Sequence, residues 1–401
     1  MTEENKEIKT EDTADNKNRK ITGLKQSLQS IFGVSKRCTI RTIYILFVFL
    51  LIFFNTNKVY SFDTIDKGKW IVLDQEMFQP RTWASCRLLP DGNVFIMGST
   101  RFAEIFDTKE QKIIKKIPVD YLRYDNYNSV SLQNGDVYVV GGERQKESVY
   151  TKPAAAKFNA KTYKFEDAAC PSYNFIYDNL ILLDNGHVLM IPSYIQTKDT
   201  HQIYNPDKNI YYTAENNNLI PVGRFLFKFK NGDVLFAHIK NRRYIYKYAD
   251  NKVENYPVIV PFEHISIQID EDNYLNIIPK SSHSEGYLYN VKTNVKTPVK
   301  NKINRTWYVN NPYPPQTILL DNGNVLILGI YAKGESTFAR LFYKYSSYIY
   351  DKKSNKFYLI KNPPIKIYNG TGIVKIKNGD ILFAGGPDEA GRRIQIYKYK
   401  K

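Results

Sequence analysis

The residues able to do chemistry are few and scattered. Five histidines, His187, His201, His238, His264 and His283, are spread over 401 residues, and none is spaced to share one face of an element with a second metal ligand. No His-Glu-x-x-His, Cys-x-x-Cys, phosphate-binding Gly-x-x-x-x-Gly-Lys, Gly-x-Ser-x-Gly elbow or dinucleotide fingerprint occurs. Cys38, Cys86 and Cys170 stand far apart, indicate no disulfide framework and read as unpaired thiols. No catalytic residue, metal or cofactor is therefore expected. What remains is charge: the chain carries a net +17. Arg81, Arg144, Arg224, Arg392 and Arg393 lie in irregular stretches together with Trp83, Tyr124, Tyr173, His283 and Tyr368. Guanidinium forks take carboxylates in pairs of hydrogen bonds and stack on aromatic faces, so this set suits an acidic peptide or protein, or a glycan. No basic run with interleaved stacking aromatics marks a nucleic-acid groove, and no nucleic-acid partner is expected.

The elements that must position these residues are repeats. Residues 373–386 read IVKIKNGDILFAGG, an apolar run, an Asn-Gly-Asp turn and a second run ending in paired glycines. Asn-Gly tolerates positive φ at both central positions and predicts a two-residue hairpin turn. The unit recurs with turns at Asp91-Gly92, Asn134-Gly135, Asn185-Gly186, Asn231-Gly232 and Asn322-Gly323, and a degraded copy has Asp272-Asn273. The copies stand roughly 40–55 residues apart, the period of propeller blades. After each hairpin an aromatic or apolar pair leads through a polar turn to another aromatic, as in Phe158–Tyr163, Ile203–Tyr211 and Ile349–Phe357. These are the third and fourth strands of a four-stranded meander, which buries both faces only when a ring of such sheets packs face to face.

The Gly-Gly doublets at Gly141-Gly142 and Gly385-Gly386, followed by patterns such as Tyr350-Asp351…Asn355-x-Phe357, resemble kelch repeats over residues 69–401. The resemblance implies an all-β fold: a seven-bladed propeller of four-stranded antiparallel blades, binding peptides or proteins through its loops. Residues 69–73 are expected to supply the fourth strand of the last blade, with Met77 and Pro80-Arg81 following as kelch repeats place them. Galactose oxidase has a central domain of this kind, but its copper centre draws a histidine from a further C-terminal domain not expected here, so its ligands are not carried over. In an up-and-down blade the tight Asn-Gly turns share one face with the third-to-fourth turns. The second-to-third and blade-to-blade connections form the opposite, longer-looped face, where the arginine and aromatic set falls.

Residues 1–38 are polar and read as a disordered cytoplasmic tail. Residues 39–59, centred on the uncharged run 43–54, read as a transmembrane signal-anchor helix preceded by Lys36, Arg37 and Arg41, which places the N-terminus in the cytoplasm. Residues 60–68 are a linker. The alternative is a cleaved signal peptide and a secreted product. The functional expectation is a monomeric, non-catalytic binding module on the non-cytoplasmic side. Its alternative is a secreted or anchored carbohydrate-active protein, sugar oxidase-like or lectin-like.

Overall fold

The computed structural model describes residues 68–98, 100–119, 125–143, 155–171, 179–191, 202–215, 223–238, 243–256, 265–280, 282–304, 315–331, 345–367, 370–386 and 391–399. The tail, the anchor and all of the linker except Gly68 lie outside them. Among the described residues no helix is long and apolar enough to cross a membrane. Within the described residues twenty-eight strands form seven four-stranded antiparallel sheets, each a meander, arranged as a propeller ring. Blade 1 spans residues 85–118, blade 2 125–167, blade 3 179–213, blade 4 223–255, blade 5 265–298, blade 6 316–360 and blade 7 372–399.

Burial grades across each blade. The second strands Val94–Met97, Val188–Ile191 and Ile381–Ala384 are buried at every position because both faces meet other sheets. That explains their unbroken apolar runs. The outermost strand of blade 5, Val295–Pro298, is exposed at every position. Cores form between blades: Phe95, Ile105 and Met97 of blade 1 pack on Val137, Val139 and Phe158 of blade 2. Between blades 5 and 6 the buried Phe357 ring sits against Gly286, where an added Cβ would come within 2.4 Å of Cζ. Gly286 is a docking hollow for that ring.

The hairpin turns differ from expectation. In blade 1 the Leu89 amide donates to Asn93 O and the Gly92 amide to Leu89 O, both at 2.9 Å, which closes a three-residue loop. Blades 2, 3, 4, 6 and 7 repeat the pattern. Only the glycine is left-handed, with φ of 94° at Gly92 and 86° at Gly135. This is a type I turn closed by a glycine bulge, which needs one left-handed residue rather than two. The preceding Asn or Asp instead caps the turn with its side chain: Asn134 Oδ1 accepts from the Asp136 amide at 3.0 Å, and Asn378 Oδ1 from that of Asp380 at 2.9 Å. Blade 5 lacks the glycine and uses a carboxylate. Asp270 Oδ1 accepts from the amides of Asp272 and Asn273 and from Asn273 Nδ2, and Oδ2 from Lys352. Burial works against its ionisation, but the bonds from Lys352, Asn273 and Asp272 outweigh it and hold the carboxyl below its usual range.

The third-to-fourth turns carry a second device. Gln111, Tyr163, Asn209, Asn251, Asn294 and Asn355 all stand there at φ between 49° and 58°. In four blades a tyrosine five residues earlier donates its hydroxyl to the asparagine Oδ1, as Tyr204 does to Asn209 at 3.0 Å and Tyr350 to Asn355 at 3.0 Å. The same asparagines reach the preceding blade. Asn209 Oδ1 also accepts from the Ala169 amide at 2.7 Å, while Asn355 Nδ2 donates to Pro298 O and its carbonyl accepts from Lys300 N, each at 3.0 Å. Burial pushes the Tyr204 and Tyr350 hydroxyls up to about 12, so they remain donors at neutral pH. In blade 2 Phe158 has no hydroxyl, and Tyr163 at the left-handed position stacks on it, its hydroxyl donating to Asp91 Oδ2 and accepting from Asn93 Nδ2 of blade 1.

Closure follows the expected scheme, one residue earlier. Gly68–Val72 pairs antiparallel with Ile394–Tyr399, with Gly68 opposite Tyr399 and Val72 opposite Gln395. Trp70 packs on Tyr397 and Phe383 with centroids 4.7 and 5.2 Å away, and its Nε1 donates to Lys361 O at the end of blade 6 at 2.9 Å. A test of the turn device is Asn355→Ala, which loses the side-chain bonds to Pro298 O and from the Tyr350 hydroxyl, keeps the main-chain bond from Lys300, and forces a Cβ residue without a capping side chain to stay left-handed. It should cost about 2–3 kcal/mol in chemical denaturation, and Asn355→Gly should recover roughly 1 kcal/mol of that by removing the backbone penalty.

Candidate binding site on the loop face

The turn face is tied up internally. Its Asx caps use the turn amides, and blade-to-blade ion pairs cross it: Lys228 to Asp184 and Lys375 to Asp321 at 2.5 Å, and Lys352 to Asp270 at 2.8 Å. The opposite face, reached by the second-to-third and blade-to-blade connections, carries the residues expected to bind. Of these, Tyr124, Arg144, Tyr173 and Tyr368 lie outside the described residues. Arg224 is on the first strand of blade 4, opposite Ala237, and its side chain is not among those described.

Arg81 is not a surface cation. It is fully buried in the segment that runs from the closing strand into blade 1, and both terminal nitrogens of its guanidinium are bonded there. Nη1 donates to Thr100 Oγ1 at 2.6 Å, Phe102 O at 2.7 Å and Gly98 O at 3.2 Å, and Nη2 to Glu104 Oε1 at 2.7 Å. Its main chain faces the other way, the amide donating to Gly391 O and the carbonyl accepting from Gly386 N, both at 2.8 Å. One residue thus rivets the loops of blades 7 and 1 together. Burial lowers its pKa, and the Glu104 carboxylate opposes that shift. Sequence reading placed Arg81 at the mouth because its partner Glu104 is 23 residues away, beyond any local pattern.

Trp83 stands two residues on, half-buried, with φ of 56°. It is the one left-handed non-glycine among the described residues outside the third-to-fourth turns. Glycines make room for it: a Cβ on Gly98 would lie 2.6 Å from Trp83 O, and one on Gly370 3.0 Å from Trp83 N. A bulky residue held left-handed is strained by about 1–2 kcal/mol, a cost that surrounding structure must sustain. The blade 7 connection, which lies along the Met77–Arg81 segment leading up to Trp83, presents Arg392 and Arg393, both exposed. Arg393 Nη1 meets Glu76 Oε1 at 3.0 Å, whereas the Arg392 carbonyl accepts from Met77 N. Arg81, Trp83, Arg392 and Arg393 therefore meet at the blade 7–blade 1 junction.

His283 belongs to blade 5, on the same face. Its Nε2 lies 3.1 Å from Glu285 Oε1 and 3.4 Å from Lys302 Nζ, its Nδ1 is 3.3 Å from Ser282 Oγ, and Lys302 pairs with Glu285 at 2.7 Å. The bonds from Lys302 and then His283 hold the Glu285 carboxyl down at about 2. Glu76, Glu104, Glu285 and Lys302 were not singled out in the sequence, because each acquires its role from a partner on another strand or connection. His187, expected as a solvated turn residue, sits 2.8 Å from the Tyr212 hydroxyl. Cys86 is buried with its thiol pushed up to about 12 by burial, Cys170 is exposed, and both are free. Among the described residues no three His, Cys, Asp or Glu side chains converge to hold a metal.

Two measurements check this geometry. Arg81→Ala, which strands Glu104 as a buried unpaired charge, should lower unfolding free energy by about 3–5 kcal/mol in urea titration. Glu285 should titrate by NMR near 2 in the folded chain, below its ordinary 4.5, and Lys302→Ala should move it upward. The sign is that of a depressed carboxyl: its small stabilising effect is complete above the unfolded value and is lost as pH falls through about 2. At 38% exposure solvent screens most of that effect.

No protein-family model matches the chain, and no curated protein sequence matches it. Among solved structures it is similar to a fungal alcohol oxidase of the AA5 family in complex with copper, at 12% identity over 83% of this chain and 77% of that one, with a TM-score of 0.62. It is also similar to the WD40 repeats of RRP9, at 9% identity over 82% of this chain and 97% of that one, with a TM-score of 0.50. Likeness at these identities speaks to the fold, and the fold is a seven-bladed β-propeller.

Proposed function

We propose that this chain is a kelch-like propeller acting as a non-catalytic binding module, tethered to a membrane by residues 39–59 with the propeller on the non-cytoplasmic side. Its loop face takes an acidic peptide or protein, or an acidic glycan. The observation that carries the reading is the contrast between the faces. Turn-face polar groups are matched from blade to blade, whereas the loop face offers an exposed Arg392 on the blade 7 connection and a half-buried Trp83, held in a strained backbone, on the segment entering blade 1. Strain sustained at a mouth is characteristic of sites pre-shaped for a ligand. An exposed guanidinium recognises carboxylates, and an aromatic face stacks on peptide planes or sugar rings.

A second reading, a carbohydrate-active oxidase, draws on the fold shared with the AA5 alcohol oxidase. It requires metal ligands from residues beyond those described. Copper-loaded protein assayed for oxidation of sugars and alcohols separates the two: turnover would overturn the binding-module reading.

Fractionation of cells expressing the full-length chain should place it in the membrane pellet at intact mass. A soluble product beginning near residue 62 would instead mean secretion. On arrays of acidic peptides and glycans, Arg392→Glu should weaken capture about fivefold or more, since one exposed charge contact is worth about 1 kcal/mol. Trp83→Asn, whose new residue accepts left-handed backbone, should weaken capture while leaving the fold intact. Unchanged binding in both variants would move the site away from this junction.

A further inference from the structure

Each sheet pairs its first strand only with its second, so the first strand keeps one free edge, turned to the ring axis. Arg87 lies on the first strand of blade 1, Ser85–Leu88. Its Nη1 donates to Cys86 O at 2.8 Å, and its Nη2 donates to Ser129 O on the first strand of blade 2, Asp125–Ser131. The Ser129 amide donates to Asn128 Oδ1 at 2.8 Å rather than to the second strand, which places the main-chain groups of Ser129 on the free edge. The guanidinium therefore bridges the axial edges of two neighbouring blades. The Ser85 and Ser129 hydroxyls lie 2.6 Å apart beside it.

Among the described residues this cation has acceptors but no counter-ion. Its two bonds go to carbonyls, and a guanidinium has five N–H donors. Other cations in comparable places are neutralised: Lys228 and Lys375, also on first strands, meet Asp184 and Asp321, and buried Arg81 meets Glu104. Among the described residues Arg87 meets no carboxylate. Burial lowers its pKa, with only the Cys86 thiol opposing. In a partly desolvated channel an unmatched charge attracts an anion far more strongly than on an open surface.

We infer that the axial channel holds an oxyanion, a carboxylate or a phosphate-class group, on the unused N–H donors of Arg87, with the Ser85 and Ser129 hydroxyls at hand as further donors. The site is separate from the loop-face junction and shares no residue with it.

The test is calorimetric titration of the full-length chain with acetate and with inorganic phosphate, ionic strength being balanced with chloride. Saturable binding of either is expected, and which one binds distinguishes a planar from a tetrahedral ligand. Arg87→Met should weaken it about tenfold or more, Arg87→Lys less, and Lys353→Glu, at an exposed outer turn of blade 6, not at all. Absence of saturable binding in the unmodified chain, or an unchanged dissociation constant in Arg87→Met, would overturn the proposal. Should Arg87→Met not fold, crystals of the unmodified protein soaked in selenate decide. An anomalous peak within hydrogen-bonding distance of the Arg87 guanidinium supports the site, and its absence there overturns it.

Discussion

A ring of sheets stands or falls on the angle between neighbours, and here a left-handed asparagine at the outer turn fixes that angle for three blade pairs. The backbone at Asn209, Asn251 and Asn355 turns where few residues go, and the side chain or main chain then holds the blade before. In blades 3, 4 and 6 the tyrosine hydroxyl from within the blade meets the same asparagine, so own-blade and cross-blade order are linked through one amide. Where a blade loses the hydroxyl, as at Phe158, the left-handed position changes with it to Tyr163, and the link to blade 1 is made by the ring that replaced the amide. Much of the abundance of tyrosine is thereby structural, and the same residues are poor candidates for chemistry.

This device also explains how the two faces come to differ. Turns closed by glycine bulges and capped by Asx side chains leave little main chain to offer a ligand, and ion pairs between blades consume the charge. The opposite face is spanned by connections of varied length that the ring does not need to be identical. There the residues are free to be selected for recognition. The junction of blades 7 and 1 is a special case, because one segment must both seal the ring and reach the mouth. Arg81 does the first, and Trp83 stands two residues later in left-handed backbone.

The architecture was legible in the sequence because its signals are local and repeated: glycine at one left-handed position, an aromatic five residues before an asparagine, and a lone apolar strand ahead of the first hairpin. What was not legible is what depends on distance. The Asn-Gly pair announced a hairpin but not its loop length, since the asparagine side chain rather than its backbone does the work. Arg81 and Arg392 look alike as sequence, and only the presence of Glu104 across the junction sends one inside and leaves the other out. Arg87 drew no notice because a cation within a strand ordinarily points to solvent, and only ring closure brings Ser129 to it.

The antiparallel pairing of Gly68–Val72 with Ile394–Tyr399 bears on how the molecule is made. On the ribosome the first strand emerges before any blade and the last strand after nearly all of them. Six blades can form from neighbouring segments while the chain is still being extended, but the seventh waits for the strand Ile394–Tyr399 to emerge. The entropy of joining such distant segments grows only logarithmically with separation, so the delay is one of time more than of stability. Throughout that interval Trp70 lacks the Tyr397 partner it has in the finished ring, and the first strand is free to pair with another nascent copy. A ring that is sealed by its two ends is robust once complete, and its period of risk is confined to birth.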